Sequence, residues 1–225
     1  NILGQLGTGS SNDVEVSPVM LALKDWIAVS GGLMHATGIR KDGTIWSWGV
    51  NDHGQLGIGN ITNQVTPVKV GADNNWVTVM AGRRATYAIK SDGTLWAWGY
   101  NLSGQLGIGN TADPGTGNIP DQRTPVQVGV NSNWVSVSKS YYGLIAAASN
   151  GIIWGWGNNQ YGQLGVGDMQ THYTPAFIAS RWEEWKTVSN ARFCVTAIKG
   201  DGTIWGWGNN VFGELGLGDV IMQQN

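Results

Sequence analysis

An all-β fold of repeated, four-stranded antiparallel units is what this 225-residue sequence predicts, on three observations. A Gly-Gln-Leu-Gly signature recurs at Gly4, Gly54, Gly104 and Gly162. Gly213-Glu214-Leu215-Gly216 is an altered fifth copy, so successive starts lie 50, 50, 58 and 51 residues apart. A period of that size marks supersecondary units that bury their apolar faces only against one another. Asp-Gly or Asn-Gly pairs separate short apolar runs at Asp42-Gly43, Asp92-Gly93, Asn150-Gly151 and Asp201-Gly202. Tryptophans come in pairs two apart, at Trp46 and Trp48, Trp96 and Trp98, Trp154 and Trp156, and Trp205 and Trp207. Both rings of a pair therefore leave one face of a strand.

The second unit shows how each element is read. Thr66–Val70 and Trp76–Met80 are β-branched or apolar runs, followed by Ala85–Lys90 and Thr94–Trp98. Four runs of about five residues between Gly, Asn and Asp fit strand signals and no amphipathic helix. Ser91-Asp92-Gly93 joins the last two, and a two-residue turn with positive φ at both central residues is expected there. Trp26, Trp76, Trp134 and Trp185 form a further series, so twelve of the thirteen tryptophans hold repeat positions, as residues packed between units do. Four-stranded units with tryptophans in fixed phase predict a β-propeller, in which blades stand radially about a channel. Four complete blades are expected at about 17–48, 66–98, 124–156 and 174–207, in one array over residues 1–225 with partial handover segments at both ends. The signature glycines allow close backbone approach where one blade hands over to the next, and Gln55 and its equivalents are expected to satisfy backbone groups there.

Composition narrows the function classes. Charged residues are 12% of the chain, about half the usual ~25%, and the net charge of −2 supplies no long-range attraction for phosphate backbones or anionic lipid. Nucleic acid and membrane insertion are therefore not expected, and no apolar run approaches the ~20 residues of a spanning helix. The single cysteine, Cys194, excludes an intrachain disulfide framework and reads as a buried, inert thiol. Catalysis has little to build on. His35, His53 and His172 fall at unrelated repeat phases, Glu183-Glu184 reads as a solvated turn, and no metal or cofactor is expected.

The run from Asp42 to Gly59, Asp-Gly-Thr-Ile-Trp-Ser-Trp-Gly-Val-Asn-Asp-His-Gly-Gln-Leu-Gly-Ile-Gly, and its three full counterparts resemble the repeats of the regulator of chromosome condensation family. The resemblance covers essentially the whole chain. It implies a seven-bladed propeller, so four blades read as part of a larger ring completed by further blades of a longer chain, with a closed four-bladed ring as the alternative. It also implies that the turn before each third strand often ends in His, matched by His35 alone against Ala85, Gly143 and Cys194. The founding member exchanges nucleotide on a small GTPase and binds chromatin with help from a basic tail, which this chain lacks. Similar repeats recur in secreted bacterial, surface and phage proteins, which favours an extracellular, virion or cell-surface setting over a cytoplasmic one.

Residues that vary at a fixed phase of a repeat are free of the packing role and ring one face. One such set precedes the third strand: Leu33-Met34, Arg83-Arg84, Tyr141-Tyr142 and Arg192-Phe193. Another precedes the Gln-Leu signature and includes Asp52, His53, Tyr100, Tyr161 and Phe212. Arg and aromatic residues are enriched at binding hot spots. Met34, Arg83, Arg84, Tyr100, Tyr141, Tyr142, Tyr161, Arg192, Phe193 and Phe212 are thus the candidate binding residues. An eight-residue insertion within Thr111 to Arg123 is either a binding loop or an ordinary mobile one. The sequence-level reading is a non-enzymatic recognition scaffold for a protein or glycan partner, a segment of a larger bacterial or viral protein. Nucleotide exchange on a small GTPase and a purely structural role are the alternatives.

Overall fold

The computed structural model describes residues 1–11, 17–109, 120–178 and 185–221. All regular structure among them is β. The first sheet is built of β1 (Trp26–Gly31), β2 (His35–Arg40), β3 (Ile45–Gly49) and β4 (Gln64–Lys69), and the second of β5 (Trp76–Ala81), β6 (Ala85–Lys90), β7 (Leu95–Gly99) and β8 (Gln122–Gln127). The third holds β9 (Trp134–Lys139), β10 (Gly143–Ala148), β11 (Ile153–Gly157) and β12 (His172–Phe177). β13 (Trp185–Asn190), β14 (Cys194–Lys199) and β15 (Ile204–Gly208) form a three-stranded fourth. Every pairing is antiparallel between strands consecutive in the chain.

The expected blade boundaries are one strand out of phase with these sheets. The run at Thr66–Val70, expected to open the unit 66–98, pairs backwards onto β3, with Trp46 opposite Lys69 and Gly49 opposite Gln64. Sequence distance misleads here, because the 14-residue connection from Val50 to Asn63 separates β3 from its own outer strand. The same offset recurs at β8 and β12. The turns also differ from expectation. Gly43 has φ +77° but Asp42 is not in the left-handed region. Gly43 N donates to Arg40 O and Arg40 N to Thr44 O, a turn closed by a left-handed glycine. The Asp42 carboxylate holds the loop shut by accepting from the Thr44 backbone N and hydroxyl, and the hydroxyl in turn accepts from Trp46 Nε1. The set repeats at Asp92, Thr94 and Trp96 and at Asp201, Thr203 and Trp205.

The innermost strands lie side by side. Ala81 N donates to Ser30 Oγ, Asn190 N to Ser138 Oγ, and the Lys139 ammonium bridges Gly31 O and Ala81 O, tying three blades together at one mouth of the array. Burial holds the Lys139 pKa below the usual lysine range.

Each tryptophan pair divides its labour. In three pairs the first ring lies under a basic side chain, as Trp96 lies under Lys90, whose Nζ is 3.9 Å from the ring centre, while Trp154 packs against Trp134 and Phe177 instead. The second is the interlock between blades. Trp156 is fully buried, and its Nε1 donates to Gln105 O in the preceding blade's connection, an oxygen that also accepts from the Tyr87 hydroxyl. Trp48 donates likewise to Gln5 O and Trp207 to Gln163 O. Trp98 occupies the same niche against Gly57 without a hydrogen bond, and Gln55 O takes the Thr86 hydroxyl instead. The connection is shaped for this task. Gln55, Gln105 and Gln163 each accept from a backbone N two residues earlier, as expected, and Glu214 does so in the fifth copy. Buried Asn51, Asn101, Asn159 and Asn210 each accept from the backbone N of the signature leucine.

Among the described residues the two ends of the array lack this cover. The flank of the first blade, along Leu6, Met20, Trp26, Val29 and Trp48, is an open apolar groove. At the far end Trp205 is 48% exposed, and no heavy atom lies within 4 Å of a Cβ built on Gly216.

Gly107 isolates the interlock. At φ +70° a Cβ there would stand 2.5 Å from Trp156 Nε1, whereas Gly216 has nearly the same φ, +68°, and open space. Gly216→Ala should cost only the left-handed backbone term, about 1–2 kcal/mol, and Gly107→Ala a further ~1–3 kcal/mol from overpacking against the indole. Urea denaturation of the two variants checks the difference; equal losses would mean that the indole is not wedged there.

Candidate functional site

One end of each blade carries two loops, the turn between its first and second strands and the start of the connection after its third. The backbone ties them together: Val50 N donates to Met34 O, Tyr100 N to Arg84 O, Asn158 N to Tyr142 O and Asn209 N to Phe193 O, all at 2.8 or 2.9 Å. Side chains at both variable phases are thereby brought onto one face of neighbouring blades.

Most of the candidate residues meet there. Arg83 stacks on Tyr141, its Cζ 3.9 Å from the ring centre, lies 4.9 Å from the Tyr142 ring, and donates to the Tyr142 hydroxyl. Tyr141 and Tyr142 stand edge to face at 4.6 Å. Arg192 approaches Tyr141 at 4.7 Å and Phe193 at 4.8 Å, and Phe193 meets Tyr161 at 4.8 Å. A strip of alternating guanidinium and aromatic groups thus crosses three blades, each stacked pair contributing about 0.5–2 kcal/mol to holding its partners in place.

Beside this strip lies a polar knot. His53 Nδ1 is 2.6 Å from Asp121 Oδ2, and its Nε2 is 2.7 Å from an Arg84 guanidinium nitrogen. Since Arg can only donate, Nε2 accepts and Nδ1 carries the proton to the carboxylate. Asp52 lies 3.9 Å from Arg84, and Tyr100 packs its ring against His53 at 4.7 Å. Burial, with a smaller push from Tyr142 and Asp121, holds the Tyr100 pKa above the usual phenol range.

Two candidates stand apart. Met34 and Phe212 are exposed, Phe212 at 90%, and no ring stacking joins either to the strip among the described residues. The insertion lies mostly outside the described residues, as does Glu183-Glu184. Cys194 is half-buried rather than buried, and burial, with Glu214 nearby, raises its thiol pKa, which opposes thiolate formation. Among the described residues no group of three His, Cys, Asp or Glu converges as a metal site would require. Sequence reasoning missed Asp121 and Lys139. The signal for Asp121 was its phase: like Asn63, it directly precedes the outer strand and caps the backbone N of the connection's buried asparagine.

His35, the single match to the position where the family often has His, is buried between the first two blades. Its Nε2 lies 2.9 Å from Thr86 Oγ1, and its Nδ1 is buried without a partner. Thr86 spends its own proton on Gln55 O, so the histidine is the neutral Nε2–H tautomer. Burial above all, then the Lys139 charge, lowers its pKa from 6.5 to about 3, against an opposing pull from Asp52.

The family description "Regulator of chromosome condensation (RCC1) repeat" matches residues 42–89, 92–146 and 150–196, about two thirds of the chain. The ultraviolet-B receptor UVR8 of Arabidopsis thaliana is 34% identical over 110 residues, 47% of this chain and 24% of the receptor. Human WBSCR16 superposes with a TM-score of 0.81 at 22% identity, covering 99% of this chain and 58% of that one. Prp20p of Saccharomyces cerevisiae gives 0.77 at 17% identity, covering 92% and 50%. These likenesses establish a β-propeller fold of RCC1 type, and the chain spans less than two thirds of each of these proteins.

The unfolded chain protonates His35 near pH 6.5 while the folded chain resists until about pH 3, so stability is whole above 6.5 and drains as pH falls through that window. The wild type should lose up to about 1.4 kcal/mol per pH unit there relative to His35→Gln. Urea titrations at pH 7, 6, 5 and 4 check this, and parallel curves for the two proteins would contradict it.

Proposed function

The chain belongs to the regulator of chromosome condensation (RCC1) repeat family, and from that premise we propose that it is a non-enzymatic recognition propeller that captures a protein on its Arg-Tyr face. The observation that carries this reading is the stacked strip from Arg83 through Tyr141 and Tyr142 to Arg192 and Phe193. Its residue types are those that dominate binding energy when desolvated. Its side chains hold one another in place, so little rotamer entropy remains to be lost on association. No fold requirement explains them, because the equivalent positions in the first blade are Leu33 and Met34, both exposed. Fold-level analogy agrees in kind: Prp20p is described by its binding to Gsp1p and histones, and the same protein, yeast RCC1, has been seen bound to Kap60.

We place the recognition face on a larger ring. Connections that close on an indole between described blades meet nothing at Gly216, and the groove along Trp26 and Trp48 is the matching uncovered flank. Further blades of the same repeat, seven in all, supply the cover that these apolar surfaces need.

Replacing Arg83, Arg84, Tyr141 and Tyr142 together by Ser should leave the protein folded at 25 °C, with a melting temperature lowered by about 5–15 °C through the lost stacking, and abolish partner enrichment in affinity capture followed by mass spectrometry. Undiminished enrichment would move the site to another surface. The second reading, exchange of nucleotide on a small GTPase, follows from the family's founding member. Accelerated GDP release from a panel of small GTPases would favour it over passive capture.

A further inference from the structure

Arg83 of the second blade and Arg192 of the fourth converge on one ring of the third, Tyr141, with Cζ atoms 3.9 and 4.7 Å from its centre. Neither has an ion-pair partner among the described residues. Other cations do: Arg40 pairs with Asp25, Lys90 with Asp73 and Arg84 with Asp52. Arg83 spends one terminal nitrogen on the Tyr142 hydroxyl, yet its Nε is buried with no acceptor. A charged group's donor without an acceptor in a shielded position is a standing deficit, and two like charges sharing one ring deepen it. Stacking occupies the flat face of a guanidinium, so a carboxylate is met at an in-plane edge, which for Arg83 with its buried Nε is the edge of the two terminal nitrogens, donating two parallel hydrogen bonds.

The geometry points to a site for two carboxylates, supplied by an extended acidic segment of the partner protein with Asp or Glu at positions i and i+2. Side chains two apart on a strand leave the same face about 6.6 Å from each other, a spacing that suits two guanidiniums reaching one ring from blades on either side of it. A single inorganic anion engages one fork at a time. This inference rests on the reading that the Arg-Tyr face is the capture surface, and it adds the chemistry of what is captured.

The test follows the Arg Nε–H signals of the intact chain by NMR. The probe is the peptide acetyl-Gly-Glu-Thr-Glu-Gly-amide, with the same peptide carrying Gln for Glu and sodium phosphate as comparison ligands. The Glu peptide should shift the Arg83 and Arg192 signals together and saturably, and the Gln peptide should bind about tenfold or more weakly. Arg192→Gln, on an exposed side chain, should lose about tenfold in affinity with the melting temperature lowered by only a few degrees. Arg83→Lys should do the same, because lysine keeps the charge but not the planar fork. Indifference of both signals to the Glu peptide, equal binding of the Gln peptide, or phosphate binding at lower concentration than the peptide would overturn the proposal. If the peptide fails while the fourfold Ser variant still loses its partner, the face captures by other chemistry. If the peptide binds while that variant keeps its partner, the carboxylate site stands and the capture surface lies elsewhere.

Discussion

Everything in this array depends on one contact, the indole of each blade driven against a glycine of the connection before it and, at Trp48, Trp156 and Trp207, hydrogen-bonded to a backbone carbonyl of that connection. At Trp156 a fully buried ring donates to Gln105 O while a Cβ on Gly107 would collide with its nitrogen. The arrangement buries the largest apolar side chain and at the same time gives its indole N–H an acceptor, so a single residue meets both requirements of a dry interface. It is also directional. Each connection closes on the following blade, and repetition with small rotation turns that one-way contact into a curved stack.

The interlock places the Arg-Tyr face, the proposed recognition surface, as a by-product. Because Met34 O, Arg84 O, Tyr142 O and Phe193 O are each tied to the start of a connection, the turn after every innermost strand is carried to the same height and orientation. The backbone does this work alone, so the side chains there are free to differ. One blade shows Leu33-Met34, the next Arg83-Arg84, the next Tyr141-Tyr142. A scaffold that fixes position through main-chain bonds can hold any residue set at the rim, which is why one repeat type can serve many partners.

The fold was legible because its determinants are periodic. Trp, Asp-Gly-Thr and Gly-Gln-Leu recur in phase, and the strands at Ala85–Lys90 and Leu95–Gly99 lie within a residue of where the pattern puts them. The pairing phase was not legible, because the Gln64–Lys69 strand is separated by loops from both candidate neighbours and only its register with Trp46 decides between them. The turn type was hidden for a similar reason: the Asp42 carboxylate, bonded to Thr44, selects a conformation that the Asp-Gly dipeptide alone leaves open. At the rim, the residue types pointed to an arc of Arg and aromatic side chains, and Arg83, Tyr141, Tyr142 and Arg192 do converge. That two arginines share one tyrosine was beyond reach, since it depends on side chains from three blades that no local pattern connects.

Hydrogen exchange at the indole nitrogens tests the central contact most directly. If the rings of Trp156 and Trp207 are wedged against their carbonyls as described, their Nε1 protons should exchange only through opening of the blade interface, orders of magnitude more slowly than that of the half-exposed Trp205. Exchange of Trp156 at the rate of Trp205 would show that the interlock is not what holds the blades together.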